Sequence, residues 1–148
     1  MQTLRRQARI YALQLLYQAD IDPGADAPSR ERYWSEGRAS KKARAFATEL
    51  VETTLAHRER LDASLTEALE QWKLSRLPVL VRNVLRLAAC ELLVIAAEPP
   101  AAIINEAVEL TRTYMDEESA RFVNSVLDHV RLRAAGEGAE PPQAAGSP

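Results

Sequence analysis

Glycine is scarce and unevenly placed. The five glycines are Gly24, Gly37, Gly136, Gly138 and Gly146, so none falls between Arg38 and Ala135. Prolines are equally sparse there, limited to Pro78, Pro99 and Pro100. A β fold of this size needs many turn residues in such a span, so the chain reads as all-helical. A single cysteine, Cys90, excludes an intramolecular disulfide and any multi-cysteine zinc site. A reducing, cytoplasmic setting is the expectation that follows. Long apolar runs are missing too: the best, Leu87 to Ala97, is broken by Glu91, so no membrane span is expected. The opening Met1-Gln2-Thr3-Leu4-Arg5-Arg6 leads into no apolar region, so no secretory leader is expected either.

Catalytic signatures are also lacking. No P-loop, dinucleotide glycine fingerprint or Gly-x-Ser-x-Gly occurs. His57 and His129 have no partner at metal-ligand spacing, and Glu106 and Glu109 lack the Glu-x-x-His companions of a carboxylate metal site. Cys90 lies in the most apolar segment, where a thiol is inert. The expectation is a binder without metal or cofactor, not an enzyme.

What the sequence does contain is an ordinary globular balance: 148 residues, 47% hydrophobic and 27% charged, enough for one well-buried core. The net charge of -2 hides an asymmetry. Residues 1–44 carry nine Lys or Arg against five Asp or Glu, and the remainder carries ten against sixteen. That split points to a localised anion-binding face.

Apolar spacing predicts a first helix from about Thr3 to Asp20, through Leu4, Ala8, Tyr11, Ala12, Leu15, Leu16 and Ala19. Ser29 to Glu36 suits a short second helix. Ser40 caps a third, whose pattern of Phe46, Leu50, Val51, Thr54 and Leu55 continues past a bend near His57 to Leu61, Leu65 and Leu69. Pro78 opens a helix apolar on most sides, from Leu80 to Ile95, as the central member of a bundle would be. Pro99-Pro100 ends it and starts a helix carrying Ile103, Ala107, Leu110 and Tyr114. Asp116-Glu117-Glu118 opens the last helix, with Ala120, Val123, Val126, Leu127 and Val130 inward. Residues 1–133 are thus expected to form one helical domain. The Ala/Gly/Pro/Glu segment 134–148 is expected to be disordered, having nothing larger than alanine to bury.

Two constellations point to nucleic acid. Arg5, Arg6 and Arg9 crowd the first turns of a helix that has no acid before Asp20. Cations there oppose the helix dipole at a few tenths of a kcal/mol each, so fold stability does not account for them, whereas phosphates would. Arg38, Lys41, Lys42 and Arg44 form a second basic run that reads as a solvated helix start. On the last helix, Phe122 flanks the apolar stripe on one side and Asn124 on the other, with Arg121 adjacent. An exposed aromatic beside an arginine suits stacking of single-stranded RNA bases.

Three blocks together resemble the NusB transcription antitermination family. They are Arg5-Arg6-Gln7-Ala8-Arg9 with Ala12-Leu13-Gln14-Leu15-Leu16-Tyr17, then Val84-Leu85-Arg86-Leu87-Ala88-Ala89-Cys90-Glu91-Leu92, and finally Ile104-Asn105-Glu106-Ala107-Val108-Glu109-Leu110 with Glu117 to Asp128. The resemblance implies a compact bundle of about seven helices in two sub-bundles. It also implies binding of boxA-type single-stranded RNA together with ribosomal protein NusE, supporting processive ribosomal RNA transcription by RNA polymerase with NusA and NusG. By position, Arg5, Arg6 and Arg9 would hold phosphates. Glu118, Arg121, Phe122 and Asn124 would line the base-contacting end, and Tyr17 would lie on a surface shared by RNA and partner. Asn105 and Glu106 would be structural, bonding backbone at the sub-bundle junction. Val81 stands where the family commonly has an acid associated with the NusE contact. Ser125 and Met115 stand at positions often held by glycine, and Met115 requires the turn before the last helix to avoid positive φ or tolerate strain. Either a monomer or a homodimer fits the resemblance.

Two other readings remain at this level: a detached targeting domain related to ribosomal RNA methyltransferases, and a protein-binding helical adaptor. Salt dependence separates the adaptor from RNA binding. Three phosphate contacts predict about a 20-fold loss of affinity to single strands between about 50 and 200 mM salt.

Overall fold

Thr3, Ser40 and Asp116 each begin a helix by accepting a hydrogen bond from the backbone three residues on: Arg6 N at 3.1 Å, Ala43 N at 3.1 Å and Ser119 N at 2.7 Å. Each satisfies a backbone donor that the first turn would otherwise leave open. The computed structural model describes residues 3–22, 27–37 and 39–136. Positions 137–148 of the expected tail lie outside the described residues, as does Arg38.

Among the described residues seven α-helices follow one another: α1 (Leu4–Ile21), α2 (Ala27–Glu36), α3 (Lys41–Ala56), α4 (Arg58–Leu69), α5 (Val79–Cys90), α6 (Pro100–Tyr114) and α7 (Glu117–Ala134). The bend expected near His57 is a one-residue break between α3 and α4, with the His57 ring nitrogen Nδ1 3.0 Å from the Thr53 carbonyl. A short 3-10 turn, Leu74–Arg76, leads into α5.

Helix α5 is the hub. It packs against α1 and α3 on one side and against α4, α6 and α7 on the other, while α1 pairs with α3 and α6 with α7. Every residue from Asn83 to Cys90 is buried, which is what a helix apolar on most sides requires. Burial also pushes the Cys90 thiol up, away from the reactive thiolate form.

The expected continuous helix to Ile95 changes character at its end. Glu91–Ile95 forms a π turn, closed by the Ala96 N–H donating to the Glu91 carbonyl at 2.8 Å. Ala96 itself is left-handed, with φ 49° and ψ 40°, a conformation that costs a Cβ-bearing residue about 1–2 kcal/mol. Its effect is to redirect the chain so that Glu98 and the Pro99-Pro100 start of α6 come beside the beginning of α1. The turn at Met115 avoids the left-handed region, with φ -128°, so the residue needs no glycine there.

Candidate nucleic-acid interface

The arginines of α1 do not stand free. Arg9 is buried, its side chain 4% exposed, and its Nε and Nη2 donate to the two carboxylate oxygens of Glu91 at 2.8 and 2.7 Å. Arg9 Nη2 also reaches Glu98 at 2.9 Å. Burial works against the Arg9 charge, but Glu91 and Glu98 outweigh it and raise the pKa further above its ordinary value. One turn outward, Arg6 donates to Glu106 in bidentate fashion at 3.0 and 2.8 Å. That hydrogen-bonded pair raises the Arg6 pKa and lowers that of Glu106. Arg5 donates to Glu98 at 2.5 Å and lies over the Phe46 ring, 4.7 Å from its centroid.

Two expectations are therefore corrected. Fold stability does account for Arg9: removing it would strand the buried Glu91, so Arg9 is a structural residue whose side chain is not presented to a phosphate. Glu106 is structural as expected, but it bonds the Arg6 guanidinium and not backbone, while Asn105 is exposed. Arg5 and Arg6 keep surface positions, their side chains 48% and 39% exposed.

From Arg6 the charges continue along the outer face of α6 into α7. Glu109, one turn beyond Glu106, accepts from Arg112 at 2.5 Å, and Arg112 donates to Glu117 at 2.7 Å. Glu117 lies 3.9 Å from Arg121, whose side chain is 70% exposed. This run connects the start of α1 to the start of α7. There Phe122 is half-buried and Glu118 and Asn124 are exposed, while Val123 and Val130 enter the core. The ring of Phe122 meets Trp72 edge to face, with centroids 6.0 Å apart, and Trp72 is 56% exposed. Exposed Lys73 and Arg76 follow Trp72 in the chain.

Trp72 escaped the sequence reading because it sits in an aperiodic connection, where helical spacing gives no face assignment. Glu91 and Glu98 were missed for a different reason. Glu91 interrupts the longest apolar run, and a charge inside a buried helix demands a partner; the sequence cannot say which one.

Val81, expected at a partner surface, is 2% exposed and packs in the core, because the inward face of α5 includes it. Tyr17 is exposed and lines a groove of about 470 Å³ with Ile21, Tyr33, Leu80 and Tyr114. Tyr33 closes one side by donating to Gln14 Oε1 at 2.5 Å. Of the second basic run, Lys41 and Lys42 are exposed, and Arg44 donates to Glu31 at 2.8 and 3.0 Å and faces the Trp34 ring.

Among the described residues no cluster of His, Cys, Asp or Glu is arranged to hold a metal, and no helix is long and apolar enough to cross a membrane. The fold and surface define an all-α adaptor with an arginine-faced first helix and an aromatic-flanked last helix. The NusB family profile matches residues 6–131, and the chain belongs to that family, one of RNA-binding transcription antitermination factors. It is 43% identical over 123 residues to the transcription antitermination protein NusB of Heliobacterium modesticaldum, covering 83% of this chain and 60% of that protein. It is 41% identical to NusB of Myxococcus xanthus, covering 86% and 94% of the two chains. Among solved structures, NusB of T. maritima superposes with a TM-score of 0.80 at 31% identity, over 94% of this chain and 98% of that one. A chain in the crystal structure of antitermination factors NusB and NusE in complex with dsRNA superposes with a TM-score of 0.78 at 29% identity, covering 90% and 99%.

Proposed function

We propose that this protein binds boxA-type single-stranded RNA together with ribosomal protein NusE, and so helps RNA polymerase, with NusA and NusG, to transcribe ribosomal RNA processively. The observation that carries the reading is the continuous surface from Arg5 and Arg6, along α6, to Arg121, Phe122 and Trp72. Arg5, Arg6 and Arg121 supply the phosphate contacts. Phe122 and Trp72 present aromatic faces and edges for bases, with Glu118 and Asn124 beside them as hydrogen-bonding groups. Arg9 acts from beneath by holding Glu91 and Glu98 in place.

NusE is assigned to the groove containing Tyr17, Ile21 and Tyr114, which are 39%, 57% and 48% exposed. Apolar exposure clustered around polar rims is the usual mark of a protein contact. The complex of NusB and NusE named above supports such a partner for a chain of this fold.

The test is a titration against labelled boxA-type single-stranded RNA, its scrambled control and the corresponding duplex, with and without NusE, at two salt concentrations. Selective binding to the single strand that strengthens with NusE is the expected result. Three surface arginines set a ceiling of about 20-fold on the affinity loss from about 50 to 200 mM salt. Phe122→Ala should weaken binding by about 1–3 kcal/mol, the worth of one stacked base. A flat salt response or equal binding of the scrambled strand would remove the RNA assignment, and indifference to NusE would remove the groove assignment.

A further inference from the structure

The arginine face carries its own counter-charges, and one of them stands apart. Glu91 is held by Arg9 and Glu106 by Arg6, each through two hydrogen bonds, and Glu106 also lies 3.9 Å from Arg9. Glu98 is the third acid. One of its oxygens, Oε2, accepts from Arg5 at 2.5 Å and from Arg9 at 2.9 Å. Arg9 has buried Glu91 as its two-point partner, so Glu98 is its second acid and not its sole one. Nor is Glu98 a chance rotamer on a loose loop. It lies two residues after the left-handed Ala96 and directly before Pro99-Pro100, whose rings fix the backbone and aim it at α1. Its side chain is 20% exposed and that of Arg5 is 48%, so the pair sits at the rim where a nucleic acid would arrive.

We infer that Glu98 is an internal competitor for RNA phosphate at Arg5, and thereby sets both the affinity and the salt dependence of this face. The inference rests on the RNA-binding reading above. A phosphate neutralised by a free arginine releases the cations condensed on the strand there; one that shares Arg5 with a tethered carboxylate is only partly neutralised and releases fewer. With Glu98 in place, Arg5 contributes only part of a phosphate contact, and the carboxylate repels the strand. Selectivity follows. A strand whose bases engage Phe122 and Trp72 holds on while Glu98 is displaced, whereas a strand bound by backbone charge alone does not.

The experiment is a double-mutant cycle read by RNA affinity: wild type, Glu98→Gln, Arg5→Gln and the double variant, each titrated with labelled boxA-type single strand and its scrambled control at several salt concentrations. Glutamine keeps the shape and an accepting oxygen while removing the charge. Glu98→Gln should bind both strands about 3- to 10-fold more tightly at low salt, the effect of deleting one nearby surface charge. Its salt slope should steepen by less than the roughly 0.7 of one whole phosphate contact, as Arg5 goes from part of a contact to a full one. Discrimination between the two strands should narrow, and the gain should vanish in the Arg5→Gln background. Unchanged or weaker binding by Glu98→Gln overturns the inference, as does a gain that persists without Arg5. If Glu98→Gln does not fold, Glu98→Ala makes the same comparison. A wild-type protein that binds neither strand sinks the RNA-binding reading itself, a result distinct from wild-type binding that Glu98→Gln leaves unaltered.

Discussion

The two ends of α1 solve opposite electrostatic problems with the same kind of device. At its start the helix carries cations, Arg5, Arg6 and Arg9, and at its end an acid, Asp20; both choices run against the helix dipole. Each is compensated from elsewhere in the fold. The start meets Glu91 from the π turn, Glu98 from the connection after it and Glu106 from α6. The end meets Arg82 at 2.7 Å, Arg86 at 3.0 Å and the Asn83 amide at 2.9 Å, all from α5. The difference lies in depth. The Asp20 and Arg86 side chains are each 8% exposed, and Arg86 is further bound by Asp62, so that cluster is closed at its centre, with Arg58, 3.8 Å from both acids and 42% exposed, reaching solvent. The cluster at the start is graded, from buried Arg9 through Arg6 to Arg5 at the rim. A closed cluster fixes where a helix docks. A graded one does that with its inner member and leaves its outer members available to a ligand.

The largest expected effect breaks this comparison at its deepest point. Arg86→Ala takes a buried partner from Asp20, leaving it to Arg82 and Asn83, and both hydrogen bonds from Asp62, and should cost about 3 kcal/mol of unfolding free energy in denaturant titration. Arg5→Ala, at the exposed rim, should cost under about 1 kcal/mol in the same assay. Equal losses would refute the graded reading.

Acid sharpens it next. Burial alone would raise the Asp20 pKa, but Arg82, Asn83 and Arg86 outweigh that and hold it at about 2, below the ordinary 3.8. Because the folded value is the lower one, this stabilisation is complete above about pH 4 and is lost as pH falls towards 2. It amounts to about 2 kcal/mol, and Asp20→Asn should flatten that limb of a stability-against-pH curve. The smallest effect concerns the turn that delivers Glu98. Ala96→Gly should relieve the left-handed backbone and stabilise the protein by about 0.5–1 kcal/mol in the denaturant midpoint, while leaving RNA affinity intact.

Much of the fold was legible locally. Thr3, Ser40, Asp116 and Pro99-Pro100 mark helix boundaries through interactions within a few residues, and the dense apolar pattern from Leu80 onward made α5 the hub. Phe122 and Asn124 could be placed on either side of an apolar stripe because helical period fixes direction. Trp72 could not, since no period governs its connection. Val81 misled because a family position is not a burial state.

The sequence by itself determined an all-helical chain, the order and approximate ends of its helices, and the concentration of arginine on the first of them. These follow from short-range spacing, capping and turn chemistry. Only the tertiary structure decided which arginine is buried and which faces solvent. The acids that make the distinction, Glu91, Glu98 and Glu106, stand 82, 93 and 100 residues from their partners Arg9, Arg5 and Arg6. Electrostatic pairing depends on distance in space and on exclusion of water, and neither is written in the spacing of a single helix.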